Sequence, residues 1–407
     1  MTFNARRRKL ISLDKALETI LKVSSPLGVE RVDLENASGR ILAKPIKAKI
    51  TQPPFNASAM DGYAVRAQDV APGTSLVQVG DSQAGAGFEG KIGAGECTRI
   101  FTGAPVPKGA DAVVMQEQTE SDGNSITFEK AALEGQSIRS RGNDFARGDV
   151  LLIPGNALSP AAIALAAASN NPKLSVFRRP KIALLGTGDE LVAPGSKVAP
   201  NKIVASNSYG LSALFAPHTA ACIDHGIASD DKAELEKHLA QLLDSDADVV
   251  VTTGGASVGD HDYVQEVLKS LGVEIDFWKI AIRPGKPLMF GHKGKTLVFG
   301  LPGNPVSAMV TATVAVLPAL RALSGSLEPL GDRFRLPLSA PLAANGPRRH
   351  FVRSIISAKQ DGISAVRPIV ETDSAHLSSL AKSNALIVHY EDAPEQPVGQ
   401  IVDVIPL

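Results

Sequence analysis

Apolar and polar positions follow a helical period at two places in the first half of the chain. Apolar side chains recur at helical spacing over residues 12 to 23, which predicts an amphipathic helix capped by Ser12. Ser159 followed by Pro160 predicts the start of a second helix, because serine caps helices and proline suits their first turn. We expect the second helix to pack on the first.

Between these two helices the hydrophobic pattern becomes short and broken. From about residue 44 to 146, Val and Ile runs alternate with Gly, Pro and Asp turns such as Ala71-Pro72-Gly73. This texture is typical of short strands joined by tight turns. We therefore expect a β-rich unit inserted between the two helical segments.

The second half of the chain shows two further textures. Residues 180 to 325 contain continuous apolar runs at 181–185, 247–251 and 296–300, each followed by a loop and a helical stretch. Strands buried on both faces have such runs, and their alternation with helices predicts a mainly parallel, doubly wound α/β sheet. Residues 330 to 407 alternate apolar and polar positions, which is typical of a half-buried β domain.

Together these textures predict a multidomain protein of α/β and β units, which its length of 407 residues also favours. The boundaries follow the changes of texture. The predicted units are a discontinuous, small helical and extended N-terminal domain (1–44 plus 147–179), an inserted β-rich domain (45–146), an α/β domain (180–327) and a C-terminal β domain (328–407).

The charge balance excludes one large class of partners. Lys plus Arg and Asp plus Glu both number 42, so the formal net charge is zero. A general nucleic-acid binder carries a basic excess, and an aromatic content of 4% offers few platforms for stacking bases. We expect no nucleic-acid partner.

The cysteines and apolar segments indicate a cellular compartment. Cys97 and Cys222 lack CxxC spacing, so neither a disulfide framework nor a cysteine zinc site is expected, and this usage fits the cytoplasm. The basic N-terminus is not expected to be a signal peptide, because charges from Asp14 onward interrupt the necessary apolar core. The most apolar predicted helix, residues 306 to 320, contains Pro318 and is shorter than a bilayer requires, so no membrane partner is expected.

The loop after the run 247–251 carries the most chemistry. It contains Gly254-Gly255, then Ser257, and finally Asp260 and Asp262. A glycine-rich turn at a helix N-terminus presents N–H groups to an anion, and carboxylates beside it suit a divalent metal. A plain strand-to-helix turn with an Asp cap explains the same residues, so the neighbouring loops decide between the two interpretations.

Three further segments of the α/β unit favour a phosphorylated ligand. Gly186-Thr187-Gly188-Asp189-Glu190 and Pro302-Gly303-Asn304 follow predicted strands, and ligands of doubly wound sheets bind beyond such strand ends. Arg283 and Lys286 add cations for phosphate oxygens. Glu190, with the carboxylates of the Gly254 loop, is a candidate ligand of Mg²⁺, which prefers oxygen. Neither GxGxxG nor a Walker P-loop occurs.

The inserted region holds a second candidate cluster on three turn-like segments. The first carries a carboxylate, the second a hydroxyl beside a Gly-Ala-Pro turn, and the third a cation and a carboxylate. These side chains are Asp61, Thr102, Arg139 and Asp144. A solvated loop explains any one of them, whereas together they can close over a site formed by another domain.

Six motifs occur in order along nearly the whole chain. They are Ser58-Ala59-Met60-Asp61-Gly62-Tyr63-Ala64, Thr102-Gly103-Ala104-Pro105-Val106-Pro107, Gly186-Thr187-Gly188-Asp189-Glu190-Leu191, Gly254-Gly255-Ala256-Ser257-Val258-Gly259, Arg283-Pro284-Gly285-Lys286-Pro287 and Leu301-Pro302-Gly303-Asn304-Pro305-Val306-Ser307. The series resembles the molybdopterin molybdenumtransferase family of molybdenum-cofactor synthesis, which is related to the C-terminal domain of gephyrin. The pairing of the first motif with the last is specific to that resemblance.

The resemblance implies an assembly and a reaction. It implies an elongated four-domain subunit in a homodimer, with molybdopterin bound by the α/β domain and Asp61 and Thr102 contributed by the other subunit. The implied substrates are adenylylated molybdopterin and molybdate, and AMP leaves with the help of Mg²⁺. A molybdopterin adenylyltransferase is the implied partner that supplies the substrate.

The resemblance also implies roles for individual residues, carried over where a motif matches. Catalytic roles are implied for Asp61, Thr102, Glu190, Asp230 and Asp262. Metal contacts are implied for Glu190 and Asp262, and molybdate contacts for Arg348, Ser374 and Pro302. Substrate contacts are implied for Gly186, Thr187, Gly188, Asp189, Gly254, Gly255, Ser257, Lys279, Arg283, Lys286, Pro302, Asn304, Arg139 and Asp144.

Two departures from the family pattern concern the anion site. Arg283 stands where lysine is common, which keeps the charge but replaces a compact ammonium with a planar fork. Residues 371–379 lack the glycines expected there, and the run Arg348-Arg349-His350 leaves the register of the arginine open.

Two other functions fit the same motifs. One is a binding protein without catalysis, because the related domain of gephyrin also serves as a receptor scaffold. The other is a tungstate-specific relative, because molybdate and tungstate have nearly the same size and charge. The sequence does not separate these oxyanions.

Overall fold

The computed structural model describes residues 10–255, 263–358, 362, 364–371 and 373–407. The helices are α1 (Leu13–Val23), α2 (Pro160–Ala168), α3 (Asn207–Phe215), α4 (Lys232–Leu243), α5 (Val264–Ser270), α6 (Pro305–Thr311), α7 (Leu317–Leu323) and α8 (Leu377–Ala381). A π-helical segment, Ala312–Val316, joins α6 to α7 in one continuous helix.

The strands fall into two series. Up to residue 177 they are β1 (Val29–Asp33), β2 (Ile46–Lys47), β3 (Ala57–Ser58), β4 (Gly62–Val65), β5 (Ser75–Ser82), β6 (Glu96–Ile100), β7 (Ala112–Met115), β8 (Thr119–Asp122), β9 (Ser125–Phe128), β10 (Ile138–Arg139), β11 (Val150–Leu152) and β12 (Lys173–Phe177). From residue 181 they are β13 (Lys181–Thr187), β14 (Leu191–Val192), β15 (Ile203–Val204), β16 (Ala221–Ala228), β17 (Val249–Thr253), β18 (Glu274–Lys279), β19 (Ile282–Arg283), β20 (Pro287–Lys293), β21 (Thr296–Leu301), β22 (Phe334–Pro337), β23 (Arg349–Ala358), β24 (Ser364–Pro368), β25 (Ala385–His389) and β26 (Ile401–Pro406).

Strands from both sides of the inserted region pair with each other. β1 runs antiparallel to β12, and β2 runs antiparallel to β11. α2 begins as predicted, since the Ser159 hydroxyl accepts a hydrogen bond from the Ala162 amide at 3.2 Å. Leu42, Leu158 and Val176 are fully or almost fully buried in the small core that these elements share.

The first helix does not pack on the second as we expected. The Ser12 cap is present, but Leu13 and Ile20 of α1 are buried in the core of the α/β unit, with Leu317 and Leu320 of α7. The difference has a physical reason, because the apolar stripe of α1 carries large side chains whereas α2 is mostly alanine. Large apolar faces stabilise a contact most when they bury each other.

The inserted region forms a six-stranded sheet in the order β7-β4-β6-β5-β9-β8. Its pairs are antiparallel except for β5 and β6. Tyr63 and Phe128 meet edge to face in its core, with ring centroids 6.3 Å apart. Beside this sheet, β3 and β10 form a short antiparallel ladder that joins the turn segments of the second candidate cluster.

The α/β unit is a six-stranded sheet in the order β16-β13-β17-β21-β20-β18, whose first four strands are parallel. Successive side chains of the strands point to opposite faces. Ile182 and Leu184 face the core beneath α1, α3 and the helix 305–323, while Ala183 and Leu185 face α4 and α5. Helices therefore cover both faces, and the expected doubly wound, mainly parallel sheet is confirmed.

The helix Pro305–Leu323 is longer than the sequence pattern indicated. It spans 19 residues because it continues through Pro318, just after the π-helical segment Ala312–Val316, where the backbone hydrogen bonds already depart from the α-helical pattern. With a mean hydropathy of 1.7, it is the one described helix long and apolar enough to cross a membrane, so the expectation that it is too short was wrong. Within the fold it is a core helix, since 83% of that apolar window is buried.

The C-terminal sheet has the order β19-β23-β25-β26-β22, with β24 on β23. Its first strand, β19, comes from the α/β unit and runs parallel to β23, so that Ile282 pairs with Arg349 and Arg283 with His350. Arg349 is buried and forms a salt bridge with Asp14 at 2.7 Å, which ties this sheet to α1. The two sets of contacts bring the Arg283 segment against the C-terminal unit.

Candidate functional site

Three predicted loops meet at one edge of the α/β sheet. β13, β17 and β21 are adjacent and parallel, with Gly186 opposite Thr253 and Thr253 opposite Leu301. Their carboxyl ends therefore lie side by side. The segments that follow them, residues 186–190, 254–255 and 302–304, come together for that reason.

A cleft of about 700 Å³ opens at this edge. Its size is typical of a site for a small molecule or cofactor. The predicted residues that line it are Gly186, Thr187, Gly188, Glu190, Asp230, Gly254, Gly255, Pro302 and Asn304. Residues that the sequence analysis missed also line it, including Ser206, Asn207, Ser208 and Ala375.

Glycines bring the loop backbones into close contact. Gly254 has a φ of 88°, and a Cβ at this position would lie 2.3 Å from the Thr187 carbonyl oxygen. A Cβ on Gly255 would lie 2.3 Å from Cγ2 of Val264. A side chain at Gly254 would therefore force the loop away from β13, and one at Gly255 would collide with α5, which explains why the turn uses glycine.

Carboxylates stand on one side of the cleft. Asp189 and Asp230 brace each other, because the amide of each donates to the carboxylate of the other, at 3.3 Å from Asp189 and 3.2 Å from Asp230. The carboxylate of Glu190 lies above Gly188, where an added Cβ would approach Oε2 within 2.6 Å. The Lys202 ammonium donates to the Asp189 carbonyl and holds this loop.

The donor set of the cleft fits a hard cation. Glu190 and Asp230 offer carboxylate oxygens, and neither His nor Cys lines the cleft in the described part of the chain. Mg²⁺ prefers such oxygen donors and usually keeps several waters, so it needs few protein ligands. Among the described residues no group of three His, Cys, Asp or Glu residues is assembled for a metal. The predicted residues Ser257 and Asp262, with Asp260, lie outside the described residues.

Cations stand between the cleft and the C-terminal sheet. Arg283 and Lys286 are exposed and form no salt bridge with the described residues, and Pro287, next in the chain, lines the cleft. Lys279 lies opposite Pro287 in the sheet, with its ammonium 5.4 Å from the centroid of the Trp278 ring. An anion entering here would meet positive charge that the described residues leave uncompensated.

The pKa of a neighbouring histidine shows this positive charge. Burial, and after it the charges of Arg283, His389, Arg348 and Arg353, together lower the pKa of His350 to about 4. His350 is therefore neutral at physiological pH. The cationic character of the region rests on its arginines and lysines.

The structure places Ser374 beside the cleft. Its hydroxyl accepts a hydrogen bond from the Asn304 amide at 3.2 Å, and its carbonyl accepts one from the Val306 amide at 3.2 Å. The guanidinium of Arg348 is 3.5 Å from the carbonyl oxygen of Ile282, the residue before Arg283. Two of the three predicted molybdate residues therefore lie on C-terminal segments that face the α/β unit, and the third, Pro302, lines the cleft itself.

Two residues that support this region escaped the sequence analysis. Asn207 donates to the carbonyl of Gly303 at 2.8 Å and holds the third loop. Arg353 is buried and donates to the carbonyls of His376 and Asp373, each at 3.1 Å, so it orders the segment that carries Ser374. A sequence signal was absent in both cases, because the bonded partners are far away in the chain.

The second predicted cluster is assembled on the inserted region. The Ser58 amide donates a hydrogen bond to the Ala104 carbonyl at 2.9 Å, and the Ala59 amide donates one to the Ser137 carbonyl at 2.8 Å. The Arg141 amide donates to the Asn56 side-chain oxygen at 2.9 Å. The three turn segments therefore form one surface. The predicted residues on it are Asp61, Thr102, Arg139 and Asp144, all of them exposed.

The hydrogen bonds of Asp61 give its carboxylate a defined orientation. Oδ1 accepts from the Thr102 amide and from the Thr102 hydroxyl, both at 2.7 Å. These bonds, with the charge of Arg99, lower the pKa of Asp61. Neither Asp61 nor the other members of its cluster line the α/β cleft within one described chain.

Three family models match successive parts of the chain. The MoeA N-terminal region (domain I and II) matches residues 11–169, a probable molybdopterin binding domain matches residues 183–322, and the MoeA C-terminal region (domain IV) matches residues 335–407. The cleft described above lies largely within the second match.

Similar proteins share one name. The molybdopterin molybdenumtransferase of Haemophilus influenzae is 36% identical over 400 residues, which cover 98% of each chain. Molybdopterin molybdenumtransferase 2 of Mycobacterium tuberculosis H37Rv is 34% identical, over 92% of this chain and 94% of its own. The crystal structure of the molybdopterin biosynthesis MoeA protein from Pyrococcus horikoshii OT3 superposes with a TM-score of 0.83 at 30% identity, over 98% of this chain and 100% of that one.

The α/β cleft, with a β-rich insertion before it and a β sheet after it, defines a multidomain transferase of molybdenum-cofactor biosynthesis. The chain belongs to the MoeA family, the family of the molybdopterin molybdenumtransferases.

Proposed function

We propose that this chain inserts molybdate into adenylylated molybdopterin and releases AMP in a Mg²⁺-dependent reaction that yields the molybdenum cofactor. The observation that carries the proposal is the cleft of about 700 Å³, where glycine-rich backbone, carboxylates and neighbouring cations meet. The names of the relatives support the same substrate class. An adenylylated pterin is large, anionic and partly apolar, and the cleft offers contacts for each of these properties.

The phosphate groups have a ready site among the loops. Gly254 and Gly303 lie side by side, and a Cβ on Gly303 would make an ordinary van der Waals contact with the Gly254 Cα at 3.7 Å. The helix that begins at Pro305 starts at the cleft, so its positive dipole end faces an anion bound there. Arg283 and Lys286 supply the full charges that phosphate oxygens need.

The carboxylates are assigned to the metal. Glu190 and Asp230 would hold Mg²⁺, with Asp262 as a further ligand and Asp189 bracing Asp230 through the reciprocal bonds. When bound, Mg²⁺ would neutralise the charge that develops on the departing phosphate as the phosphoanhydride breaks. The protein side chains orient the two phosphates and restrict water around them.

Molybdate is assigned to the side of the cleft that faces the C-terminal sheet. It is a tetrahedral dianion and requires cations, hydroxyls and amides. Arg348 and Ser374 supply a guanidinium and a hydroxyl, and Pro302 lines the adjoining wall of the cleft. This placement puts the oxyanion beside the nucleotide and pterin sites that the loops form.

A homodimer would complete the site. Asp61 and Thr102 do not line the cleft of their own chain, so we assign them to the cleft of the other subunit. Arg139 and Asp144 share their surface and would follow them. A molybdopterin adenylyltransferase in the cytoplasm would supply the unstable substrate.

The proposed site is tested by removing two of its three metal carboxylates, one at a time. Glu190→Ala and Asp262→Ala should each lower cofactor production about 10²-fold or more, because charge stabilisation at a breaking bond is lost. Glu236→Ala on α4 removes an exposed carboxylate outside the cleft and should leave the rate unchanged. Steady-state production from adenylylated molybdopterin and molybdate is the measurement, and unchanged rates in both site variants would overturn the assignment.

A further inference from the structure

A second cleft opens where the N-terminal domain meets the α/β unit, away from the cleft described above. It measures about 450 Å³ and is lined from one side by residues 39–41, 155–157, 177 and 179, and from the other by residues 217–218 and seven residues between 321 and 332. A volume of this size is typical of sites for small molecules. None of its lining residues also lines the proposed catalytic cleft.

Three arginines converge on this second cleft. The guanidinium of Arg179 lies over Gly39, where an added Cβ would be 3.6 Å from a terminal nitrogen, and that of Arg321 lies against Gly331, where an added Cβ would be 2.2 Å from one. Arg40 completes the set and donates to the Phe177 carbonyl at 2.8 Å. Arg and not Lys occupies all three positions, which favours recognition of a planar or tetrahedral oxyanion by paired N–H donors.

The positive charge of this cluster is poorly compensated within the described residues. Arg40 forms an ion pair with Glu30, but its Nε is buried and has no hydrogen-bond partner there. Neither Arg179 nor Arg321 forms a salt bridge with a described carboxylate. The three arginines are half-buried, and partial burial of guanidinium groups without salt-bridge partners favours binding of an anion between them.

The positive charge of the cluster also lowers the pKa of a neighbouring histidine. Burial, and after it the charges of Arg321 and Arg179, together lower the pKa of His218 to about 4. Glu328 and Asp332 also line the cleft, but both are exposed, so solvent screens their charge. His218 is therefore neutral at physiological pH and can still donate or accept a hydrogen bond.

The walls of the cleft indicate the rest of the ligand. Ile41, Ala157, Phe177 and Leu327 add apolar surface beside the guanidinium groups. A bare oxyanion would leave that surface in contact with water. An anion with an attached ring or carbon body would cover it, and each apolar area removed from water stabilises the complex.

We propose that the Arg40, Arg179 and Arg321 cleft binds a phosphomonoester, whose phosphate contacts the guanidinium groups and whose body covers the apolar wall. The site is separate from the catalytic cleft. Its occupant would bridge the N-terminal domain and the α/β unit, so binding should stabilise the junction between them.

Calorimetric titration tests this proposal with AMP, ribose 5-phosphate and inorganic phosphate as probes, at constant ionic strength. The catalytic cleft also attracts anions, so the titrations are made on an Arg283→Gln/Lys286→Gln protein and on an Arg179→Gln/Arg321→Gln protein. We expect phosphomonoester binding to persist in the first and to weaken about tenfold or more for each lost guanidinium in the second. Inorganic phosphate should bind more weakly than either ester.

The controls separate charge, folding and assembly. Arg31→Gln/Arg335→Gln removes two exposed arginines outside the cleft and should bind as the unmodified protein does. Arg179→Lys keeps the charge without the planar fork and should bind with intermediate strength, which guards against loss of fold in the double variant. Binding that disappears only in the Arg283→Gln/Lys286→Gln protein, or binding absent throughout, would overturn the proposal. So would a change of mass in light scattering with unchanged binding in the Arg179→Gln/Arg321→Gln protein, because the cluster would then be a contact between copies.

Discussion

At the scale of single residues, the Asp61 carboxylate is kept ionised and oriented by its neighbours before any ligand is bound. Two hydrogen bonds from Thr102 lower the pKa of its exposed carboxylate below the ordinary value of 3.8. Such a carboxylate stays ionised throughout the physiological range. We therefore expect Asp61 to bind or orient and not to take up a proton.

The first prediction concerns this charge. Asp61→Asn keeps an acceptor for the Thr102 bonds and removes the charge, so we expect kcat for cofactor formation to fall about 10²-fold with the fold intact. Asp122→Asn removes an exposed carboxylate from β8 of the same region and should leave kcat unchanged. Equal kcat values for the unmodified protein and Asp61→Asn would exclude Asp61 from the site.

A different carboxylate links two parts of the fold. Asp14 on α1 accepts hydrogen bonds at 2.7 and 2.9 Å from Arg349 on β23, and these bonds, with the charge of Arg349, lower the pKa of Asp14 below its ordinary value of 3.8. Arg349 is 8% exposed and also contacts Glu391, whereas Asp14 is 71% exposed. Solvent screening at Asp14 keeps the contribution modest.

The second prediction is a pH dependence of stability. A carboxylate with a lowered pKa in the folded state contributes stability above its unfolded pKa and loses it as pH falls through the folded value. Asp14→Asn should therefore lower the free energy of unfolding by about 0.5 to 1 kcal/mol near pH 7. The difference should shrink below about pH 4. Urea unfolding followed by the fluorescence of Trp278, the single tryptophan, measures it; a difference independent of pH would contradict the ion pair.

Sequence reasoning placed some site residues and not others, for a physical reason. The loop that carries Glu190 and the loop that carries Asn304 follow parallel strands, so their meeting at one edge was predictable. Asp230 entered only through the family resemblance. Asn207 reaches Gly303 across 96 positions of the chain, and a tertiary contact of this kind leaves no local pattern in either segment.

At the scale of elements, the Gly254 turn sets the shape of the cleft. Gly254 and Gly272 both have a positive φ, 88° and 84°, and both lie in the α/β unit. They differ in their surroundings, because a Cβ on Gly272 meets nothing within 4 Å whereas one on Gly254 would lie 2.3 Å from the Thr187 carbonyl oxygen. Substituting these two glycines therefore distinguishes the cost of backbone strain from the cost of a steric clash at the site.

The third prediction uses this pair. Gly272→Ala should cost about 1 kcal/mol of stability from its backbone conformation alone and leave the rate unchanged. Gly254→Ala should cost more and lower the rate about 10²-fold, because the loop must move away from β13. Thermal unfolding and steady-state rates measure both effects. Equal behaviour of the two variants would mean that the close contact at Gly254 does not shape the site.

Among the elements, buried strands were easier to locate than to orient. The runs near β13, β17 and β21 were recognised because continuous apolar residues mark strands covered on both faces. The strands β18 and β20, which pair antiparallel, were missed because β18 mixes polar and apolar residues and β20 has an apolar run of only three residues, 288–290. β19 is only two residues long, and its pairing with β23 depends on a partner 67 positions away, as for Ile282 and Arg349.

At the scale of the whole molecule, the insertion was readable and the packing of α1 was not. The change of texture near residue 44 and its reversal near 147 indicated one domain inserted into another, and β1 and β12 do pair across that gap. The partner of α1 is set by which large apolar face remains uncovered after folding. Comparing the uncovered apolar faces requires the structures of all the domains, so the local sequence pattern favoured the wrong partner helix for α1.

The fourth prediction tests the shared site of the proposed homodimer. Asp61→Asn and Glu190→Ala proteins should each keep only about 1% of the unmodified activity alone. Mixing them with subunit exchange should restore about one quarter of the unmodified activity. Half of the dimers would be mixed, and one of the two sites in each would be intact. No recovery, or light scattering at the 42.5 kDa of a single chain, would contradict a site built from two subunits.

The most direct test of the account is the release of AMP from adenylylated molybdopterin in the presence of Mg²⁺, with and without molybdate. We expect AMP release that requires molybdate and that is lost in Glu190→Ala. The reason is that molybdate insertion and cleavage of the phosphoanhydride would occur in one cleft. Tight binding of the adenylylated pterin without AMP release under either condition would contradict it, and would identify a carrier or scaffold in place of a transferase.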